Sequence, residues 1–332
     1  MSNYTAVVGF FLQSDPVANG SPVALLPRFG LEDHSEDCWK QFRFKIDNLN
    51  SLAPLGTKYK VLFLGRHGEG YHNAGLKKYG HEEWMRFYSL TDGDDEMTWA
   101  PDAQLTPLGH SQAAAAREAW RTESSRGIMI PQKFYVSPLR RALETWSGTF
   151  GGTRDYSLFP EEGPTVTILE NCRETYGIYP CDMRLPLSVL QETYPPPTYQ
   201  FEVNFTEHDP LWTRDERETD EHVQERAKRV LNVIFKEPEI YISITAHGWF
   251  IRGLLAETRH QPYRIPTGGT PSNFMIKSKL TAVTYRSSTR RYQASRYSTG
   301  GLIAKHNIAL IGTNKRIIHF YSCFYVNQII DK

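Results

Sequence analysis

The stretch "VLFLGRHGEGYHNAG", residues 61–75, joins an apolar run to a glycine-rich turn that carries an arginine and two histidines. A short run of apolar residues bounded by glycine is typical of a strand buried on both faces of a sheet. In α/β proteins the loop that follows such a strand is where ligands bind. The stretch therefore predicts a central strand that delivers Arg66 and His67 to a site.

Segments typical of strands and of helices alternate along the rest of the chain. Short apolar runs predict three further strands, at 133–137, 166–170 and 240–246. Proline-led or amphipathic segments predict helices at 107–120, 138–150 and 220–235. This alternation predicts an α/β fold, a three-layer sandwich in which helices flank a central, mostly parallel sheet.

The bulk composition limits the classes of function. The formal net charge of the 332 residues is +1, which argues against a nucleic-acid partner. No run approaches the roughly 18 apolar residues of a membrane span, and the N-terminus lacks the basic region of a signal peptide. The four cysteines form no C-x-x-C pair, so we expect free thiols, with a Cys172–Cys181 bridge as the alternative. We expect a cytoplasmic protein, with the nucleus as the alternative compartment.

Charge and patterning divide the chain unevenly. Residues 277–332 contain ten Lys/Arg and one acidic residue, or +9, so the remainder sums to −8. The stretch around 179–217 is rich in proline and in aromatic residues, which need burial. We predict one domain over 1–276 with an ordered insertion around 179–217, then a basic extension over 277–332. The extension is either a poorly ordered tail, an arm that binds lipids or polyanions, or an artefact of gene prediction.

The turn after the first strand admits three kinds of site. A dinucleotide fingerprint needs G-x-G-x-x-G, but Gly68 and Gly70 are followed by Asn73 at the third position. A metal site would use His67 and His72, but their spacing does not fit one helical face and no Cys/His pair accompanies them. Phosphoryl transfer to histidine fits best, because neutral imidazole attacks phosphorus and phosphate needs nearby cations and amide donors.

Charged and nucleophilic residues follow the other predicted strands as well. "SPLRRALET" (137–145) offers two arginines at a helix start, "ENCRETYG" (170–177) a carboxylate beside a glycine, and "ITAHG" (244–248) another histidine. The carboxyl ends of parallel strands meet at one edge of a sheet. These residues can therefore together attack, hold and protonate a phosphate ester.

In order and spacing these motifs resemble the histidine phosphatase superfamily, the phosphoglycerate mutase-like group. The resemblance lies in five segments: R-H-G-x-x-x-x-N at 66–73, "DAQLTPLGHSQA" at 102–113, S-P-L-x-R-A-x-x-T at 137–145, R-E-x-x-G at 173–177 and a strand followed by H-G at 242–248. Details such as "RHGEGYHNA" are most similar to fungal phosphomutases of the budding-yeast type. The resemblance covers about residues 5–276 and implies the phosphoglycerate mutase-like fold.

The resemblance implies a catalytic role for five residues. His67 would be the nucleophile that becomes phosphorylated. Glu174, protonated in a buried site, would donate a proton to the leaving oxygen and later accept one from water. The phosphoryl group would be held by the remaining three, Arg66, Arg141 and a protonated His247.

Other residues near these motifs have two interpretations each. Gly68 would let the backbone approach the phosphate, and Asn73 would either bind phosphate or cap its helix. Arg140 is expected to be an exposed helix charge, and His72 a surface or capping group. Trp249 stands where the family tends to have a small residue, so it either crowds the pocket or packs against the sheet.

These observations predict a phosphatase that acts on small phosphorylated metabolites through a phosphohistidine, without a metal or another cofactor. A phosphomutase is the alternative, and a catalytically silent binding module is the less favoured third. Hydrolysis is favoured because a mutase must exclude water and hold two substrate ends, and no sequence feature establishes either. The sequence does not identify the substrate or the oligomeric state.

Overall fold

The computed structural model of the chain describes residues 3–18, 26–151, 158–159, 163–268 and 272–279. One sheet contains seven strands, β1 Tyr4–Val7, β2 Thr57–Arg66, β3 Lys133–Val136, β4 Val166–Ile168, β5 Tyr199–Phe201, β6 Tyr241–Ala246 and β7 Ser272–Lys279. The helices are α1 Cys38–Ser51, α2 Tyr71–Arg86, α3 Pro107–Ser125, α4 Arg140–Trp146, α5 Leu187–Thr193, α6 Asp220–Ile234 and α7 Gly248–Glu257. The predicted α/β class is confirmed.

The sheet is mostly parallel and has the strand order β1-β7-β2-β6-β3-β4-β5. Strands β2, β6, β3, β4 and β5 pair in parallel, whereas β7 is antiparallel to both of its neighbours, β1 and β2. In the β2–β6 pair Arg66 lies opposite Ala246. The next residues, His67 and His247, therefore leave the same edge of the sheet side by side.

Strand β2 is buried on both faces, as its apolar run predicts. Val61 and Phe63 belong to the core on the side of α1, α3 and α4. Leu62 and Leu64 alternate with them and pack in the core that contains α6 and α7. The two cores make the predicted three-layer sandwich, with the sheet as its middle layer.

Local signals place the helices. Thr106 caps α3 by accepting a hydrogen bond from the N–H of Gly109 at 3.1 Å, and Pro107 follows at the first helical position. Thr219 caps α6 in the same way. The predicted apolar stripe of α6 is fully buried: Val223, Ala227, Val230, Leu231 and Ile234.

The segment around 179–217 is ordered and contributes to the sheet. It contains α5, and β5, which pairs in parallel with β4 at the edge of the sheet. Strand β7 runs to Lys279, so the first three residues of the 277–332 segment lie in the sheet. The three interpretations of the basic extension concern residues 280–332, which lie outside the described residues. The predicted domain boundaries stay a prediction.

The described cysteines and helices bear on two further expectations. Cys38, Cys172 and Cys181 are free and buried, and Cys323 lies outside the described residues. Across the described ranges no helix combines the length and the apolar character that crossing a membrane requires.

Candidate active site

The two histidines that follow β2 and β6 form the centre of the site. Their ring centroids lie 5.0 Å apart. His67 is 1% exposed and His247 is fully buried. The register of β2 and β6 therefore places His67 and His247 next to each other, as expected from the two strand ends.

One hydrogen bond determines the tautomer of His67. Its Nδ1 lies 2.7 Å from the carbonyl oxygen of Gly68. Because a carbonyl only accepts, Nδ1 carries the proton and donates it, which leaves the lone pair on Nε2. Burial and the charges of Arg141 and Arg66 lower the pKa of His67 well below its usual value. The ring is thus neutral at physiological pH, the state in which Nε2 is nucleophilic.

His247 is held by Ser137 and is neutral too. Its Nε2 lies 2.7 Å from Oγ of Ser137. Burial, with Arg141 as the next cause, lowers the pKa of His247 well below its usual value. This lowered pKa belongs to the site without phosphate, so the protonated His247 expected during phosphoryl transfer stays a prediction. The negative charge of a bound phosphoryl group would raise the pKa of His247.

The two arginines that were predicted to hold phosphate lie beside these rings. Arg141 is fully buried, and its Nη atoms donate to the carbonyl oxygen of Cys181 and to Oδ1 of Asp182, both at 2.8 Å. Arg66 donates from Nη1 to the carbonyl oxygen of Ile265 at 3.3 Å. Within the described residues the buried Nε atoms of both arginines lack a hydrogen-bond partner. Two donors are thus left for the oxygens of an anion.

Glu174 is a buried carboxyl group with a raised pKa. Burial is the main cause, and the negative charge of Asp182 adds to it. Its Oε1 accepts hydrogen bonds from the backbone N–H of Thr175 at 2.9 Å and of Trp249 at 3.2 Å. A raised pKa favours the protonated form, which a general acid requires.

A cavity of about 570 Å³ gives access to Arg66, Arg141 and Glu174. It has charged and polar walls from α2, α4, α7 and the segment around 179–217. Its lining residues are Arg66, His72, Asn73, Trp84, Ser89, Arg141, Glu174, Tyr179, Cys181, Asp182, Arg217, Gly248, Trp249, Ile251, Arg252, Pro262, Tyr263, Arg264 and Ile265. Arg66, Asn73, Arg141 and Glu174, predicted from sequence, are thus brought to one cavity, and the ring of His67 lies 5.4 Å from that of His72, which lines it.

Gly68 and Asn73 differ in how far they match their predicted roles. The N–H of Gly68 donates to Oγ1 of Thr145 at 2.9 Å, and the expected close approach of this backbone to phosphate stays a prediction. The glycine is needed for packing, since a Cβ there would lie 2.6 Å from the carbonyl oxygen of Gly109. Asn73 accepts from the N–H of Gly70 at 3.0 Å through Oδ1 and also lines the cavity. It can therefore serve as a cap and offer its amide N–H₂ to a ligand.

Three side chains have surroundings that the sequence did not indicate. His72 was expected at the surface, but its ring lies 5.4 Å from that of His67 and lines the cavity. Arg140 was expected to be an exposed charge, but it donates to the backbone carbonyl oxygens of Pro101 and Asp102. Asp182 joins Arg141 to Arg217, whose Nη1 lies 3.0 Å from Oδ2. The signal for Asp182 was the "CD-R" segment at 181–184, although nothing in it identifies the partner.

No cluster of three or more His, Cys, Asp or Glu side chains suited to a metal ion occurs in the part of the chain that the structure describes. The nitrogen donors of the arginines and the neutral histidines suit an anion instead. The arrangement can bind a phosphoryl group, attack it and protonate a leaving oxygen.

Comparison with known proteins gives a match over the same part of the chain. The model of the histidine phosphatase superfamily (branch 1) matches residues 62–273. "Probable phosphoglycerate mutase" of Arthroderma benhamiae is 36% identical over 80% of this chain and 82% of its own length. "Phosphomutase-like protein 3" of Candida albicans is 32% identical over 81% and 78%. "Probable phosphoglycerate mutase PMU1" of Saccharomyces cerevisiae is 34% identical over 66% and 80%. The resemblance stated from the sequence is confirmed.

Proposed function

The chain belongs to the histidine phosphatase superfamily, and from this premise we propose that it hydrolyses phosphomonoesters of small metabolites through a phosphohistidine at His67. The observation that carries the proposal is the hydrogen bond from Nδ1 of His67 to the carbonyl oxygen of Gly68, which leaves a lone pair on Nε2. The family makes this an enzyme, a phosphatase or a phosphomutase. The nucleophile, the proton donor and the choice of hydrolysis are the parts that we propose.

In the first step Nε2 of His67 attacks phosphorus and the bond to the leaving oxygen breaks. The proton of Glu174 moves to that oxygen, so the alcohol leaves neutral and the carboxylate remains. Arg66 and Arg141 offset the charge on the three other oxygens, which a buried site does more strongly than water. The N–H₂ of Asn73 and a ring N–H of His247 are further donors.

In the second step water attacks the phosphohistidine. The carboxylate of Glu174 accepts a proton from this water, and the bond between phosphorus and Nε2 of His67 breaks. Inorganic phosphate and a neutral histidine result, and Glu174 is protonated again for the next cycle. The raised pKa of Glu174 supports both roles, because the group must hold a proton before the first step and release it within the cycle.

A phosphomutase is the second candidate, and the names of the three fungal relatives favour it. It would use the same phosphohistidine but pass the phosphoryl group to a second hydroxyl of the substrate. We favour hydrolysis because a cavity of about 570 Å³ leaves room for water beside a small ester. The fate of the phosphoenzyme separates the two candidates.

The test is rapid acid-quench labelling with ³²P-labelled phosphomonoesters of the wild type, of His67→Ala and of His110→Ala. His110 is the matched control, since its side chain is 58% exposed on α3. We expect an acid-labile, base-stable label in the wild type and in His110→Ala alone. Turnover in His67→Ala equal to that of the wild type would show that His67 is not the nucleophile.

Release of the label to water, with no transfer to added metabolite alcohols, supports the phosphatase. Transfer to an acceptor in preference to water supports the mutase. Binding of vanadate with no label and no turnover would identify a binding module without catalytic activity. Full activity after dialysis against EDTA is expected if no metal takes part.

A further inference from the structure

The cavity has an apolar wall as well as its cationic groups. This wall comes from the first turns of α7 and from the segment that follows that helix. Its members are Trp249, Ile251, Pro262, Tyr263 and Ile265. Neither of the steps above uses these side chains, although they adjoin the groups that do.

Trp249 is placed beside the proton donor by its own backbone. Its N–H donates to Oε1 of Glu174, the proposed proton donor, at 3.2 Å. The residue is 44% exposed and lines the cavity, so the indole is not part of the buried core. The indole therefore borders the space into which the leaving group extends.

The indole of Trp249 also contacts Arg252, a neighbour on the same helix. The guanidinium of Arg252, one turn later, lies 4.6 Å from the indole centroid, which is a cation–π contact. Arg252 is itself tethered by Asp220 at 3.4 Å. Arg252 and Asp220 are 58% and 62% exposed, so this contact favours one orientation of the ring without fixing it.

The size of the cavity indicates what would cover that face. Its volume of about 570 Å³ falls in the range of roughly 300–1,000 Å³ that is typical of sites for drug-sized ligands. A compact acid phosphate would leave the indole in water. A planar apolar group would cover it by offset stacking, which favours aromatic pairs beyond the burial of area alone.

Given the proposed phosphatase activity, we propose that the preferred substrates are phosphomonoesters whose leaving group carries a planar aromatic ring, and that Trp249 selects them by stacking on this ring. Trp249 is then a specificity-determining residue.

The experiment compares 2-naphthylmethyl phosphate with ethyl phosphate, both esters of primary alcohols, in the wild type and in Trp249→Ala. The substitution keeps the backbone N–H that binds Glu174. We expect the wild type to prefer the naphthyl ester, and the ratio of the two kcat/KM values to fall about tenfold in Trp249→Ala. Trp249→Phe, which keeps a ring, should retain most of the preference.

Phe44→Ala is the matched control, because Phe44 is 66% exposed on α1 and does not line the cavity. It should leave the ratio unchanged. An equal ratio in the wild type and Trp249→Ala, or a wild type that prefers ethyl phosphate, would overturn the proposal.

A binding measurement separates this inference from the proposed activity. Calorimetry with 2-naphthylmethylphosphonate and methylphosphonate, which cannot be hydrolysed, should show a wild-type preference for the naphthyl compound that Trp249→Ala reduces. If the wild type hydrolyses neither ester but keeps this preference, hydrolysis is wrong and the ring-binding site stands. If both esters are hydrolysed and the two phosphonates bind equally, the proposed hydrolysis stands and selection of a ring by Trp249 is wrong.

Discussion

Asp182 forms an ion pair with the buried guanidinium of Arg141, with Oδ1 and Nη2 2.8 Å apart. Its other oxygen lies 3.0 Å from Nη1 of Arg217. One carboxylate from the segment around 179–217 therefore orients the arginine that we expect to hold the phosphoryl group. The same carboxylate raises the pKa of Glu174, so it acts on two groups of the proposed mechanism at once.

We expect Asp182→Asn to lower kcat/KM for any phosphomonoester by about a hundredfold, because a displaced Arg141 no longer meets the phosphoryl oxygens. It should also move the pH profile. Activity falls as pH rises through the pKa of Glu174, and loss of the Asp182 charge lowers that pKa. The alkaline limb of kcat should therefore shift to lower pH in steady-state assays.

Asp94→Asn is the control for this substitution, since Asp94 pairs with Lys78 at 2.9 Å and does not line the cavity. Its pH profile should match that of the wild type. An Asp182→Asn enzyme with reduced activity but an unmoved alkaline limb would contradict the coupling to Glu174.

Glu174→Gln tests the proton donor, because an amide cannot release the proton that an alkoxide needs. The first turnover of p-nitrophenyl phosphate, whose leaving group needs no proton, should stay near the wild-type rate. The rate with an alkyl phosphate should fall by roughly 10² to 10⁴. Steady-state turnover of both esters should fall, since water also loses its base, and stopped-flow should show a burst of p-nitrophenol. Equal losses for both esters in the first turnover would exclude Glu174 as the acid.

Gly68→Ala tests the contact between the turn and α3. The added Cβ would lie 2.6 Å from the carbonyl oxygen of Gly109, which is backbone and cannot move aside freely. We expect a loss of about 1–3 kcal/mol in the free energy of unfolding and reduced activity, since His67 adjoins the displaced residue. Gly163→Ala, where a Cβ meets nothing within 4 Å, should be close to neutral. Urea denaturation of both variants measures the difference.

Asp102 predicts a pH dependence of stability. Burial raises its pKa to about 7, above the value of an unfolded aspartate. Between these two pKa values the folded state binds the proton and the unfolded state does not. The free energy of unfolding should therefore fall as pH rises from about 4 to 7, by up to about 1.4 kcal/mol per pH unit from this group.

Asp102→Asn, which stays uncharged, should flatten this part of the profile when denaturation is measured at several pH values. An identical slope in wild type and variant would mean that Asp102 is ionised in the fold. The buried Oδ2 of Asp102 has no hydrogen-bond partner within the described residues and lies 3.9 Å from Nε of Arg140, so burial and this guanidinium act on the pKa in opposite directions, with burial the larger cause.

The sequence was sufficient for features that depend on local pattern. The strand before Arg66, the proline-led start of α3 and the apolar stripe of α6 each lie within a few consecutive residues. Strand β5 was missed, because three residues behind "YPPP" carry too short a signal. Strand β1 was missed because its role depends on β7, more than 260 residues away.

In the candidate site, too, features in short motifs could be predicted, whereas features that depend on distant residues could not. His67, Glu174 and Arg141 stand in short motifs that the sequence displays. The tie between Arg141 and Asp182 joins residues 41 positions apart, and the inward position of His72 depends on how α2 packs. The neutral state of His247 follows from burial, which is a property of the assembled fold and not of its neighbours in the chain.

The position of β7 sets the order in which the enzyme can be built on the ribosome. Strand β2, which ends at the nucleophile, pairs with β7 along Thr57–Leu64, and Tyr4–Val7 also pairs with β7. A nascent chain that has emerged only to residue 271 leaves one edge of β2 open to other chains. The first strand synthesised must wait for β7, so a translation product that stops before β7 is an aggregation hazard.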